Sequence, residues 1–109
     1  MDLRIFADPE IIEAIRSVAP EAIPEDEHDD GALALGFQPS ISIAFGYLSN
    51  VSKAIYSKLL PFINARPEME IEVEGPGGKI KLKLKNVTEN TLVNSATEVM
   101  SLAMTQKKR

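Results

Sequence analysis

The residues of this chain whose types suit chemistry are one histidine, several carboxylate groups, a scatter of serines and one glycine–lysine turn. The densest cluster is Glu25–Asp30, Glu-Asp-Glu-His-Asp-Asp. Carboxylates with an imidazole suit a hard or borderline cation. The spacing does not fit an EF-hand loop, which needs acids at alternate positions, a central glycine and a late glutamate. His28 is the single histidine, so no histidine pair exists to complete a transition-metal site. Pro20 and Pro24 flank the cluster, it has no apolar periodicity, and its like charges repel. A solvated acidic loop over about 20–30 is therefore expected, with no metal assigned to it.

The remaining candidates are no better organised for catalysis. A lone histidine among acids is a poor start for a Ser-His-Asp arrangement. Ser40, Ser42, Ser49, Ser52 and Ser57 are numerous, yet none lies in a Gly-x-Ser-x-Gly elbow. The absence of cysteine excludes disulfides, thiolate zinc sites and a cysteine nucleophile. Glu68, Glu70, Glu72 and Glu74 form a regular ladder, whereas acid/base pairs need environments that differ. Gly75-Pro76-Gly77-Gly78-Lys79 superficially matches a phosphate loop. It leads from strand to strand, however, and Ile80 stands where the hydroxyl residue belongs. Asn50-Val51-Ser52 and Asn86-Val87-Thr88 match glycosylation sequons by chance, since no basic, apolar leader opens the chain. The expectation is a cytoplasmic, non-enzymatic protein with no catalytic residue and no cofactor.

These groups must be carried by elements that the apolar pattern defines. Leu3–Ala7 reads as a first strand. Asp8-Pro9-Glu10 opens a helix, with Asp8 as N-cap, Pro9 in the first turn and Glu10 complementing the dipole. Ile11, Ile12, Ile15 and Val18 form its stripe, and it ends near Ala19, before Pro20. Gly31–Phe37 reads as a short buried strand or a turn of helix. Ile41, Ile43, Phe45 and Tyr47 alternate like a strand, while Ile41, Phe45, Leu48, Ile55, Leu59 and Phe62 share a helical face. The longer pattern predicts a helix from about Ser42 to Asn64, bent at Pro61; the alternative is a strand followed by a helix from Ser49.

Residues 68–85 are the clearest unit. Glutamates alternate with Met69, Ile71 and Val73 on one arm; Lys79, Lys81, Lys83 and Lys85 alternate with Ile80, Leu82 and Leu84 on the other. With the proline–glycine turn between them, this is a β-hairpin whose charged face sets glutamate against lysine. A one-residue slip would carry charges into the core, so the register is well specified. Thr88 then caps a helix over 88–105, with Leu92, Val93, Ala96, Val99, Met100, Ala103 and Met104 as its apolar stripe. The chain of 109 residues therefore reads as a single α+β domain, 1–109, in the order β-α-(β)-α-β-β-α. The expected core is a small mixed sheet of three to four strands, with the hairpin toward the C-terminus and helices on one face.

The net charge of -4 hides an asymmetry. Residues 1–30 carry ten acids and two bases, residues 31–109 ten bases and six acids, and Gly31–Ser52 carries no charge. The basic excess sits largely on a hairpin strand facing its own glutamates, without interleaved aromatics, so no nucleic-acid partner is expected. The neutral segment is too interrupted by Gln38, Pro39, serines and Asn50 for a membrane span. Its uncharged side chains are best explained by burial or by contact with a protein partner. Phe37, Ile41, Phe45, Tyr47 and Leu48 are the candidate partner-binding residues. The alternatives are a membrane-associated component using 31–52, and a small metal-binding protein or enzyme using the acidic loop. Self-association is compatible with a hairpin arm at the sheet edge, where lysines discourage uncontrolled pairing.

Three segments carry a resemblance to a known family. They are Leu3–Ile12 with its Asp-Pro-Glu helix start, the neutral stretch Gly31–Val51 running into Ser52–Asn64, and Met69–Val87 with its strand–Gly-Pro-x-Gly–strand–Val pattern. Together these span most of the chain, and in layout it resembles the effector-associated constant component family of bacterial conflict systems. The Glu-rich head and the Lys-rich second strand lie outside the likeness. The resemblance implies an accessory or adaptor protein working with a separately encoded effector, and supplies no catalytic residues.

Overall fold

The computed structural model describes residues 2–24 and 39–107, with side-chain surroundings up to residue 100. The fold is α+β: among the described residues it has five strands and three α-helices. Strand β1 (Asp2–Phe6) leads into helix α1 (Pro9–Val18), and β2 (Ile23–Pro24) follows. Then come β3 (Ser40–Ala44), α2 (Phe45–Ala65), the hairpin β4 (Glu70–Gly75) and β5 (Gly78–Lys83), a 3-10 turn at Leu84–Asn86, and α3 (Thr91–Lys107). The strand order is β2-β3-β1-β4-β5. Among the described residues every pair is antiparallel and the sheet has five strands, where the sequence suggests a mixed sheet of three to four.

Alternation explains why this sheet has two unlike faces. Successive strand residues point to opposite sides. Across β3, β1, β4 and β5 the register lines up Ile41, Ile5, Val73 and Ile80 on one face. Leu3, Ile43 and Ile71 join them there, and all but the half-buried Ile80 are buried. On this face the strands pack with Ile11 and Ile15 of α1, Leu48, Ile55 and Leu59 of α2, and Leu92, Ala96 and Val99 of α3 in one core. The opposite face carries the charged and hydroxyl residues of the same strands.

The element boundaries follow local chemistry. Asp8 is the N-cap of α1, but through its backbone: its carbonyl accepts from the N–H groups of Ile11 and Ile12, with no side-chain cap bond. Thr88 instead uses its hydroxyl, which accepts from the N–H of Asn90 and of Thr91 ahead of α3. That helix starts at Thr91, three residues later than the capping signal suggests. The expected helix from Ser42 is corrected: Ser40–Ala44 is a strand in register with β1, and the helix runs from Phe45. The strand wins because Ile41 and Ile43 lie opposite Ile5 and Leu3 on the core face. Pro61 lies within α2, as expected. Arg66, just past α2, donates to a Glu10 carboxylate oxygen at 3.1 Å and stacks over Phe62, tying the end of α2 to the start of α1.

The hairpin register pairs Glu70 with Lys83, Glu72 with Lys81 and Glu74 with Lys79, as the charge pattern requires. Pro76 and Gly77 form the two-residue connection, and Gly78 takes a φ of +147 that a side chain would resist. The turn is held against α3 by the Gly77 N–H, which donates to the carbonyl of Val99 at 3.1 Å.

Candidate functional site

The sequence-selected residues separate into three groups. Ile41 and Leu48 are completely buried, one in β3 and the other in the first turn of α2. They belong to the core and present no surface to a partner. Phe45 and Tyr47 are half-buried, packed against that core at the start of α2. Phe37 lies outside the described residues, as do Gly31–Phe37 and the acidic cluster with His28. Among the described residues no group of His, Cys, Asp or Glu is placed to hold a metal ion.

The segment that carries Phe45 and Tyr47, Ala44–Ser52, has no charged residue, although Asp2 lies opposite Ala44 in the sheet and Glu21 meets Tyr47. Ala44, Gly46, Ser49 and Asn50 are exposed here, and the next charged residue along the chain is Lys53. A Cβ added at Gly46 would meet nothing within 4 Å, so that backbone is open. The Tyr47 hydroxyl accepts from the Glu21 N–H at 3.4 Å, joining the start of α2 to the turn before β2. Two residues further on, Ile23 is 64% exposed. It is the exposed large apolar side chain among the described residues, opposite Ser42 on the sheet face away from the helices. Sequence reasoning assigned Ile23 to the acidic loop. The one signal for it was an isolated isoleucine between two prolines, too short a run to mark a strand.

The open sheet face is ordered by charge. Ile23, Ser42, Arg4, Glu74 and Lys79 form one row across all five strands, and Ser40, Phe6, Glu72 and Lys81 the next. Lys81 bridges Glu72 at 3.7 Å and Glu70 at 4.0 Å, and Lys79 reaches Glu74 at 4.0 Å. The Lys79 ammonium also stands 5.4 Å from the centroid of the Phe6 ring. At the end of the hairpin, Lys83 and Lys85 donate to the two oxygens of Glu68 at 3.1 and 3.2 Å. Those hydrogen bonds, Lys83 first, lower the Glu68 pKa below its ordinary value. A depression of about 410 Å³ lies between Asp2, Arg4, Ser42, Glu74 and Pro76. Gly75-Pro76-Gly77-Gly78 connects two strands, so it is a hairpin turn and not a phosphate loop.

No family model, no curated protein and no solved structure matches this chain. No helix among the described residues is long and apolar enough to cross a membrane.

Proposed function

We propose that this protein is a non-catalytic interaction module that binds a protein partner through the corner that carries Ile23, Phe45 and Tyr47. The observation that carries this reading is the exposure of Ile23, close in the chain to the turn that meets the uncharged segment Ala44–Ser52 at Tyr47. Scattered apolar residues are normal on a surface. This one lies two residues from Glu21, whose N–H meets the Tyr47 hydroxyl, and the segment Ala44–Ser52 that carries Phe45 and Tyr47 has no charged residue. Interface centres are depleted of charge and enriched in aromatics in the same way. The resemblance of Leu3–Ile12 and Met69–Val87 to components of bacterial conflict systems supports an effector as the partner, with this chain as its accessory.

The test is co-purification with proteins encoded beside this one, using Phe45→Asp and Tyr47→Asp in parallel with the unmodified chain. Both variants are expected to lose the partner while keeping a cooperative thermal transition. Retention of the partner by well-folded variants would contradict the reading, and so would loss of the fold, because the segment would then be core alone.

A further inference from the structure

The far edge of the sheet, opposite the Ile23 corner, has a second property. β5 is the outer strand, and the antiparallel ladder fixes which of its backbone groups point outward. Leu84 N–H donates to the Met69 carbonyl at 2.7 Å, just beyond the Glu70–Lys83 pair of the hairpin. Hydrogen-bonded and non-bonded pairs alternate in such a ladder. Leu82, Ile80 and Gly78 therefore bond inward to β4, while the N–H and C=O groups of Lys79, Lys81 and Lys83 face away from the sheet. The same three residues carry the ammonium groups on the open face. On the helix-covered face, Ile80 and Leu82 are only half-buried, and among the described residues no strand lies beyond β5.

We propose that the β5 edge accepts an extended segment of a partner protein in which acidic and aliphatic residues alternate. Its backbone would complete the ladder at Lys79, Lys81 and Lys83. Its acids would lie opposite those lysines, and its aliphatic side chains would finish covering Ile80 and Leu82. The charge pattern selects this occupant. A second copy of β5 would set lysine against lysine, a costly opposition. Edge lysines are a common guard against indiscriminate pairing, and here the guard admits one class of strand. A nucleic acid fits less well, since it has no backbone amides to complete the ladder and β5 offers no aromatic side chain for base stacking. This edge site is separate from the Ile23 corner and stands whether or not that corner binds.

The experiment is a fluorescence anisotropy titration of the full chain with a short peptide alternating glutamate with valine or isoleucine. Companion probes are its lysine counterpart, a copy N-methylated along one edge, and a single-stranded oligonucleotide. The acidic peptide is expected to bind saturably, to slow amide exchange at Lys79, Lys81 and Lys83, and to weaken in about 1 M salt, where screening is short-ranged. Lys81→Pro removes an outward N–H that the sheet does not use, a position where an edge strand tolerates proline. It should weaken binding about tenfold, as the loss of one net hydrogen bond together with the Lys81 charge implies. The N-methylated peptide should lose at least as much, which keeps the test decisive if Lys81→Pro does not fold. Absence of saturable binding up to about 1 mM would overturn the proposal. Equal binding by the N-methylated or lysine peptide, or tighter binding of the oligonucleotide, would do so as well.

Discussion

Replacing Gly75 by alanine should loosen the seat of α3 on the hairpin. A Cβ built at Gly75 falls 2.5 Å from Val99 Cγ2, 3.1 Å from Val99 Cβ and 3.3 Å from Leu3 Cδ2. The first distance requires movement. Val99 has little room to give it, because a β-branched side chain on a helix has one favoured rotamer and because Val99 is buried. Its carbonyl is also bonded to Gly77. Overpacking of this kind costs about 1–3 kcal/mol. Val99→Ala alone should cost about 2 kcal/mol, from two lost methyl groups and a small cavity. In the double variant the added methyl occupies space that Val99 vacated. Its destabilisation should therefore fall short of the sum of the singles by about 1–2 kcal/mol. Urea denaturation followed by circular dichroism measures all four corners of the cycle. Additive effects, or a Gly75→Ala protein as stable as the parent, would refute the close approach of β4 and α3.

Three further perturbations address other parts of the structure. Glu68 has a folded-state pKa lowered from 4.5 by Lys83 and Lys85, so its stabilisation is complete above that unfolded value and is lost as pH falls through the lowered one. Glu68→Gln should accordingly be less stable than the parent at neutral pH and indistinguishable from it in strong acid, with the Glu68 carboxyl titrating below 4.5 by NMR. Lys81→Glu places a glutamate opposite Glu72 and close to Glu70. It should cost about 0.5–1 kcal/mol in low salt and less in about 1 M salt, read from paired denaturation curves. Leu59→Ala empties a fully buried site in α2 and should cost about 2–5 kcal/mol in the same assay.

The hairpin was legible because each arm alternates cleanly and its charges are complementary, so the pairing of Glu72 with Lys81 follows from the sequence. The first helix was equally plain, with Pro9 in its first turn and Ile11, Ile12 and Ile15 on one side. The junction of β3 and α2 was not legible. No glycine or proline separates Ala44 from Phe45. Ile41 in the strand and Leu48 in the helix both face the core, so one apolar series satisfied two periods. The two-residue β2 escaped notice for a related reason: Ile23 and Pro24 join the sheet only through pairing with Ser42 and Ile41, a tertiary fact without a local pattern. The candidate contact residues were chosen from the neutral stretch, but lack of charge does not distinguish burial from exposure. Ile41 and Leu48 went to the core, Phe45 and Tyr47 to its margin, and the exposed isoleucine lay upstream at Ile23.

The proposed role of the Ile23 corner is tested most directly by calorimetric titration of a partner recovered by co-purification into the parent protein and into Ile23→Asp. Ile23 is mostly solvent-exposed, so the substitution should leave the thermal transition nearly in place. A side chain central to an interface should then lose about tenfold or more in affinity. An unchanged affinity in a folded Ile23→Asp protein would contradict the assignment of this corner as the docking surface.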